Sequence, residues 1–221
     1  MKKKLFLLIG LLCMTTFGCF SQNMVKVDYK QMKDFVKNHS SDFNALLNRY
    51  EANDTLLTVN DLAHIYFGYS FTKFYLGSFD DFTPFTEFIE QGKYEEGYQW
   101  GIEHLKKNPV SLRLLYEMYG LAGELGKSPE ETNSYIIKYF QLLDMISQTG
   151  DGQSKETAYK VICINDEYHI LQIYWKIEKL HTQSLIEHYD VMEFDPIKNY
   201  KGDKMYFDIS RSLDSMKELF K

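Results

Sequence analysis

Apolar residues along the first two thirds of the chain recur at helical spacing. Phe43, Leu46, Leu47 and Tyr50 fall at i, i+3, i+4 and i+7 behind the polar Ser40-Ser41-Asp42, which predicts an amphipathic helix with a polar N-terminal cap. Thr58-Val59-Asn60-Asp61 opens a second helix, with Thr58 placed to cap and Asp61 in the first turn, followed by Leu62, Ile65, Tyr66 and Tyr69. Leu112, Leu115, Tyr116, Tyr119, Ala122 and Gly123 keep the same period up to Gly126. Ser128-Pro129-Glu130-Glu131 then combines a capping serine, a proline at the first helical position and a glutamate at the third, ahead of Ile136, Tyr139, Phe140, Leu143 and Ile146. Residues 28–149 therefore read as about six helices stacked in antiparallel pairs.

The pattern changes at Thr149-Gly150-Asp151-Gly152-Gln153-Ser154, a turn-forming linker. Beyond it, residues 158–164 are apolar and rich in β-branched side chains, Asn165-Asp166-Glu167 reads as a turn, and residues 168–177 are again apolar and aromatic. A hairpin is the simplest expectation, although residues 168–177 fit a helix as well as a strand. Residues 189–194 and 205–209 are two further candidate strands. Residues 210–220 predict a terminal helix with Leu213, Met216, Leu219 and Phe220 inward.

The helical part carries one more specific signal. Gly92, Tyr94, Gly97 and Pro109 resemble the second helix of a tetratricopeptide repeat, whose run is Gly-x-Tyr-x-x-Ala with a closing proline twelve positions after the alanine. Gly97 replaces the alanine, Gly101 stands at the aromatic position and His104 at a small one, so the repeat is degenerate. Gly97 and Gly101 share a helix face, at a propensity cost of about 1 kcal/mol each that close approach of a neighbouring helix would offset. The expected fold is α+β: a helical-repeat-like N-terminal part over residues 22–149, packed on a smaller antiparallel β-containing part over 150–221 as one structural unit.

Ahead of both parts, Lys2, Lys3 and Lys4 precede the uncharged run Leu5-Phe6-Leu7-Leu8-Ile9-Gly10-Leu11-Leu12-Cys13-Met14, the charged and apolar regions of a secretory signal over residues 1–21. This run is too short to span a bilayer as a helix, which takes about 20 residues. Cys19 and Ser21 suit signal peptidase cleavage before Gln22, whereas Thr16-Phe17-Gly18-Cys19 is a degenerate lipobox that would make Cys19 the acylated first residue. Both routes predict export to the periplasm or cell surface, with a lipid anchor at Cys19 as the one expected membrane attachment. Of the three cysteines, only Cys163 lies beyond this segment, so no internal disulfide is expected. Its setting, Val161-Ile162-Cys163-Ile164, suggests a buried small hydrophobe.

Charge narrows the partners. Lys and Arg number 25 against 31 Asp and Glu, a formal charge of −6, and export would remove three lysines more. No general attraction to a phosphate backbone follows, and nucleic acid is not an expected partner.

From Thr149 through Gly150-Asp151-Gly152-Gln153-Ser154 to Asn165-Asp166-Glu167-Tyr168, and again at Gln183-Ser184-Leu185-Ile186 and Tyr206-Phe207-Asp208-Ile209, the chain resembles a family of exported Bacteroidetes proteins catalogued as domain of unknown function 4919. The resemblance implies export and a unit spanning most of the chain. It implies no activity and transfers no catalytic residue.

Candidate chemistry is sparse. Asp151, Ser154 and Glu156 offer oxygens in a Gly-rich turn but lack the spacing of a calcium loop; the plainer reading is a linker bonding to its own backbone. The histidines form no His-Glu-x-x-His, and His181 and His188 lie two helical turns apart only if that stretch is helical. Asp166-Glu167 resembles a carboxylate pair, yet adjacent residues point apart on a strand or turn. Nucleotide-binding and serine-hydrolase glycine motifs are absent. Residues 66–88 hold ten aromatics, and Phe79 and Phe82, on an expected exposed loop, could stack on sugar rings. The expectation is a non-catalytic binding or scaffolding module for a protein or peptide, without cofactor, metal or catalytic residue. Its candidate ligand contacts are Phe79, Phe82, Asp151, Ser154, Glu167 and Tyr168. The alternatives are an exported hydrolase with a carboxylate or histidine site, and a glycan-binding module.

Overall fold

Helix signals in the first part of the chain are strongest where a side chain can satisfy the open backbone N–H groups of a first turn. In the computed structural model, which describes residues 24–77 and 81–219, those places are where helices begin. The Asp28 carboxylate accepts from Lys30 and Gln31 N–H at the head of α1 (Tyr29–Asn38), which is followed by α2 (Ser40–Glu51). At α3 (Val59–Tyr69) the Thr58 hydroxyl accepts from Asp61 N–H at 3.1 Å while the Asp61 carboxylate accepts from Thr58 N–H at 2.9 Å. Then come α4 (Thr83–Glu90), α5 (Tyr94–Leu105), α6 (Leu112–Glu124) and α7 (Pro129–Ser147), the last capped by the Ser128 hydroxyl. One expected cap is corrected: Ser40, Ser41 and Asp42 lie inside α2, and His39 at the cap position makes no side-chain capping bond.

Gly97 and Gly101 lie where α5 meets its neighbours. A methyl group on Gly101 would overlap Met118 Sδ of α6, and one on Gly97 would sit 3.3 Å from Ile89 Cδ1 of α4. At Gly101 a methyl group fits only if Met118 moves, and at Gly97 it would make a tight contact, so both glycines let the helices approach closely.

The second part forms a sheet of β1 (Tyr159–Lys160), β2 (Leu180–Ile186), β3 (Tyr189–Phe194) and β4 (Lys204–Asp208), in the order β1-β4-β3-β2. β3 runs antiparallel to β4, with Val191 opposite Tyr206, and antiparallel to β2, with Gln183 opposite Met192. β1 runs parallel to β4, so the expected antiparallel sheet is mixed. The expected hairpin is overturned. Both faces of the chain at Ala158, Tyr159, Val161 and Ile162 are buried, which suits an interior segment rather than a hairpin arm with a wet side. Residues 164–174 are instead helical, α8 (Ile164–His169) running into a π-turn (Ile170–Tyr174), and Asp166 and Glu167 occupy the first turn of α8. Residues 180–186, for which no element was expected, are the edge strand β2, so His181 and His188 are not two helical turns apart.

The chain ends in α9 (Ser210–Leu219). Its buried positions are the polar Arg211, Ser212 and Ser215, with Leu213 only partly covered, which corrects the expected apolar stripe. The side chain of Leu219, and all of Phe220, lie outside the described residues, as do residues 1–21, the expected secretory signal with Cys19, and Phe79. One apolar cluster runs from Val25 through α3, α6 and α7 to Phe207 and Ile209. No described helix is long and apolar enough to cross a membrane.

Candidate functional site

The polar groups that burial isolates from water gather where α3 meets α8 and α9. The Tyr66 hydroxyl on α3 donates to Asp166 Oδ2 at 2.5 Å and accepts from Ile162 N–H at 3.2 Å. Just beyond α3, the Tyr75 hydroxyl donates to the Ile162 carbonyl at 2.5 Å. Arg211 of α9 donates through Nη2 to the Ser70 carbonyl at 2.7 Å and through Nε to Ser70 Oγ at 3.2 Å, with its guanidinium carbon 4.4 Å from the Phe71 ring centroid. Residues 66–75 are thus fastened to the second half of the chain at three points.

Burial raises the Asp166 carboxyl to about 7, against the opposing effect of the Tyr66 hydrogen bond. Glu167 is fully buried, and neither of its oxygens meets an N–H or hydroxyl donor. Burial pushes its carboxyl well above the usual range, with the charges of Asp190 and Asp166 adding to the effect. The site thus favours the protonated form of Glu167, since an ionised carboxylate without donors is among the costliest groups a core can contain. Asp190 on β3 accepts from Gln183 Nε2 at 3.0 Å, and Gln183 Oε1 accepts from the Tyr168 hydroxyl at 2.9 Å. On the next turn of α8, burial and then the Arg113 charge lower His169 to about 4, so its imidazole is neutral; its Nδ1 lies 3.4 Å from the Tyr139 hydroxyl.

Beside Asp166 is a cavity of about 20 Å³, lined by Tyr75, Arg113, Ile162, Cys163 and Asn165 among others. That is room for one water molecule. Cys163 lines it half-buried, so it is not the fully buried hydrophobe expected. A cavity of that size has no space for a substrate.

The expected ligand contacts do not assemble. Phe82 is buried, its ring packed against Trp100 and His104 with the Arg113 guanidinium 4.6 Å away, because α4 starts immediately after it where an exposed loop was expected. It has no free face for a sugar. Asp151 accepts from Gln153 N–H at 3.0 Å and the Ser154 hydroxyl pairs with that of Thr157 at 3.2 Å, both local to the linker. Glu167 and Tyr168 do lie together with Asp166, but inside the junction. His181 pairs with Asp195 on the surface while the His188 ring lies tilted against that of Tyr189. Among the described residues no group of three or more His, Cys, Asp or Glu is arranged to hold a metal ion. Sequence reasoning missed Tyr66, Arg113 and Asp190 as members of the junction; an acid amid the otherwise apolar run of residues 189–192 was the one available signal.

The surface offers different chemistry. Between the turn before α3 and the outer side of α7 runs a groove of about 500 Å³, lined by Leu57, Val59, Leu62, Ile136, Ile137 and Phe140, with Asp144 also lining it. Leu56 at 82 % exposure adjoins Leu57 in that turn, and Phe140 is 53 % exposed.

Helices packed with a mixed four-stranded sheet define this as an α+β protein. The model of the family described as Domain of unknown function (DUF4919) matches residues 30–218, and the chain belongs to that family. Neither a curated protein nor a solved structure matches it.

Proposed function

We propose that this is an exported, non-catalytic binding protein that takes an apolar segment of a protein partner in the groove between the turn before α3 and α7. The observation that carries the reading is the groove itself. Its volume of about 500 Å³ lies in the range of working ligand sites, and its lining is mostly aliphatic and aromatic, with Thr55, Gln141 and Asp144 as the polar members. Large apolar side chains left in water beside a concavity mark interaction sites more often than scattered ones do. Asp144 in the lining, and the formal charge of −6, favour a segment whose apolar anchors are flanked by lysine or arginine. The tetratricopeptide-like run at residues 92–109 agrees with a peptide-binding helical layer, and the basic and apolar residues 2–14 support export.

Panning a random peptide display library against the purified protein tests the site. Enriched peptides should share an apolar anchor with a basic flank, and Phe140→Asp should weaken them by about tenfold or more, the equivalent of losing one buried aromatic contact. Because Phe140 is half in water, the variant should melt at the wild-type temperature. Peptides that bind Phe140→Asp as well as wild type, or hydrolytic turnover by the purified protein, would overturn the reading. Export is tested by fractionating the native host, where a cytosolic precursor of full length is the contrary outcome.

A further inference from the structure

The helix α1 (Tyr29–Asn38) and the residues just ahead of it carry a charge opposite to that of the chain. The whole chain is acidic, at a formal −6, whereas residues 24–38 hold four lysines and two aspartates. Lys30, Lys33 and Lys37 fall at i, i+3 and i+7 on one face of α1, and Lys26 precedes them; all four are exposed, while Met32 is buried. Neither aspartate is paired with them. The Asp28 carboxylate accepts from the N–H groups of Lys30 and Gln31, and Asp34 accepts from Asn38 Nδ2 at 2.7 Å with His39 Nε2 3.9 Å away. Elsewhere Lys106, Lys127, Lys155, Lys160, Lys204 and Lys217 each stand within ion-pair distance of a carboxylate. No described residue forms an ion pair with Lys26, Lys30, Lys33 or Lys37.

What such a face meets is set by its place in the chain. Val25 N–H donates to the Gln148 carbonyl at 2.8 Å, which fixes the approach to α1 against the end of α7. Cys19, the expected lipid-anchored residue, lies five positions before the exposed Met24, and five residues span at most about 18 Å. An anchor there holds α1 beside the bilayer. Stable attachment takes two signals, and a cluster of basic residues is one that complements a lipid chain. The acidic remainder of the chain does not cancel the attraction, because charges more than about 8 Å from the surface are largely screened at physiological ionic strength. We propose that the lysine face of α1, with Lys26, docks on an anionic lipid surface, a second attachment beside the one expected at Cys19. The proposal rests on the export reading for its location and on the lysine face for its chemistry.

Co-sedimentation with phospholipid vesicles of the chain beginning at Gln22, which contains every described element, tests this with no acyl group present. At low salt, binding is expected to vesicles of phosphatidylcholine mixed with phosphatidylglycerol and not to phosphatidylcholine alone; about 0.5 M salt should release it. Each lysine at the surface contributes roughly fivefold, so Lys30→Glu with Lys33→Glu and Lys37→Glu should weaken binding by about a hundredfold or more. Lys107→Glu with Lys198→Glu and Lys201→Glu makes the same change of net charge at exposed positions outside α1, and should alter binding by less than about threefold. Lys30→Arg with Lys33→Arg and Lys37→Arg should bind as the wild type does. Unchanged circular dichroism and melting temperature will show that each variant keeps the fold. Three outcomes would overturn the proposal. They are a wild type that stays unbound at low salt, an equal loss from the two glutamate triples, and tighter binding to polyglutamate than to the anionic vesicles, which would make the face a site for an acidic protein. A cytosolic location in the native host would instead remove the export reading and leave the vesicle result standing.

Discussion

Glu167, shut away from water with no donor on either oxygen, makes the stability of this protein depend on pH in an unusual direction. For most carboxylates the fold favours the charged form; for Glu167 and Asp166 it favours the protonated form. Above the ordinary carboxyl range the unfolded chain has released protons that the native state still holds, so these two groups lend stability at low pH and withdraw it as pH rises toward 7. His169, lowered to about 4, acts the other way: between about 4 and 6.5 the unfolded chain binds a proton that the native state refuses, which adds stability as pH rises. Two acids against one histidine leave a net loss of stability as pH rises from the ordinary carboxyl range toward neutrality. The exposed acids with lowered values, Asp54, Glu95 and Glu193 among them, act below that window. Denaturant titrations at stepped pH should show the wild type losing stability across it. Glu167→Gln should flatten the profile and exceed the wild type at pH 8, and a wild type that gains stability from pH 5 to 6.5 would contradict the account.

The α5–α6 contact separates two kinds of glycine that a propensity scale treats alike. Gly101→Ala improves helix propensity by about 1 kcal/mol but drives a methyl into Met118 Sδ, so it should destabilise by roughly 1–3 kcal/mol. Gly120→Ala on the outer face of α6, where a methyl would meet nothing within 4 Å, should stabilise by up to about 1 kcal/mol. Opposite shifts in denaturation midpoint are the expected result, and a gain at both positions would mean that the helices are free to separate. The same locality explains which elements were legible beforehand. Thr58, Asp61, Ser128 and Pro129 state their helix starts within four residues, and β3 announces itself by its own residues. The parallel β1–β4 pair is decided by a distant partner. Tyr159 lies opposite Phe207, and nothing near residue 159 specifies that pairing. The junction was half legible: Asp166-Glu167 stood out as a carboxylate pair, while Tyr66 was one aromatic among ten and nothing in its neighbours marks it as a partner a hundred residues away.

Across the whole molecule, the hydrogen bonds of Tyr66, Tyr75 and Arg211 run from the end of α3 to the strand-forming half, and the apolar cluster is continuous through both. Neither half can open without exposing the carboxyls of α8 or the aromatic face of α3, so the two should unfold as one cooperative unit. Trp100 on α5 and Trp175 after the π-turn are partly buried reporters on either side of the junction. Trp100→Phe leaves fluorescence that reads the sheet side, and Trp175→Phe leaves fluorescence that reads the helical side. Within each variant, the remaining tryptophan should report the same denaturation midpoint as far-UV circular dichroism of the whole chain. Tyr66→Phe leaves the buried Asp166 Oδ2 and Ile162 N–H without their shared hydroxyl, which should cost about 1–3 kcal/mol. Built into each single-tryptophan chain, it should move both reporters by the same amount. A shift of the Trp175 signal with the Trp100 signal unmoved would instead make the helical layer an independent folding unit, with the buried acids internal to the strand-forming half alone.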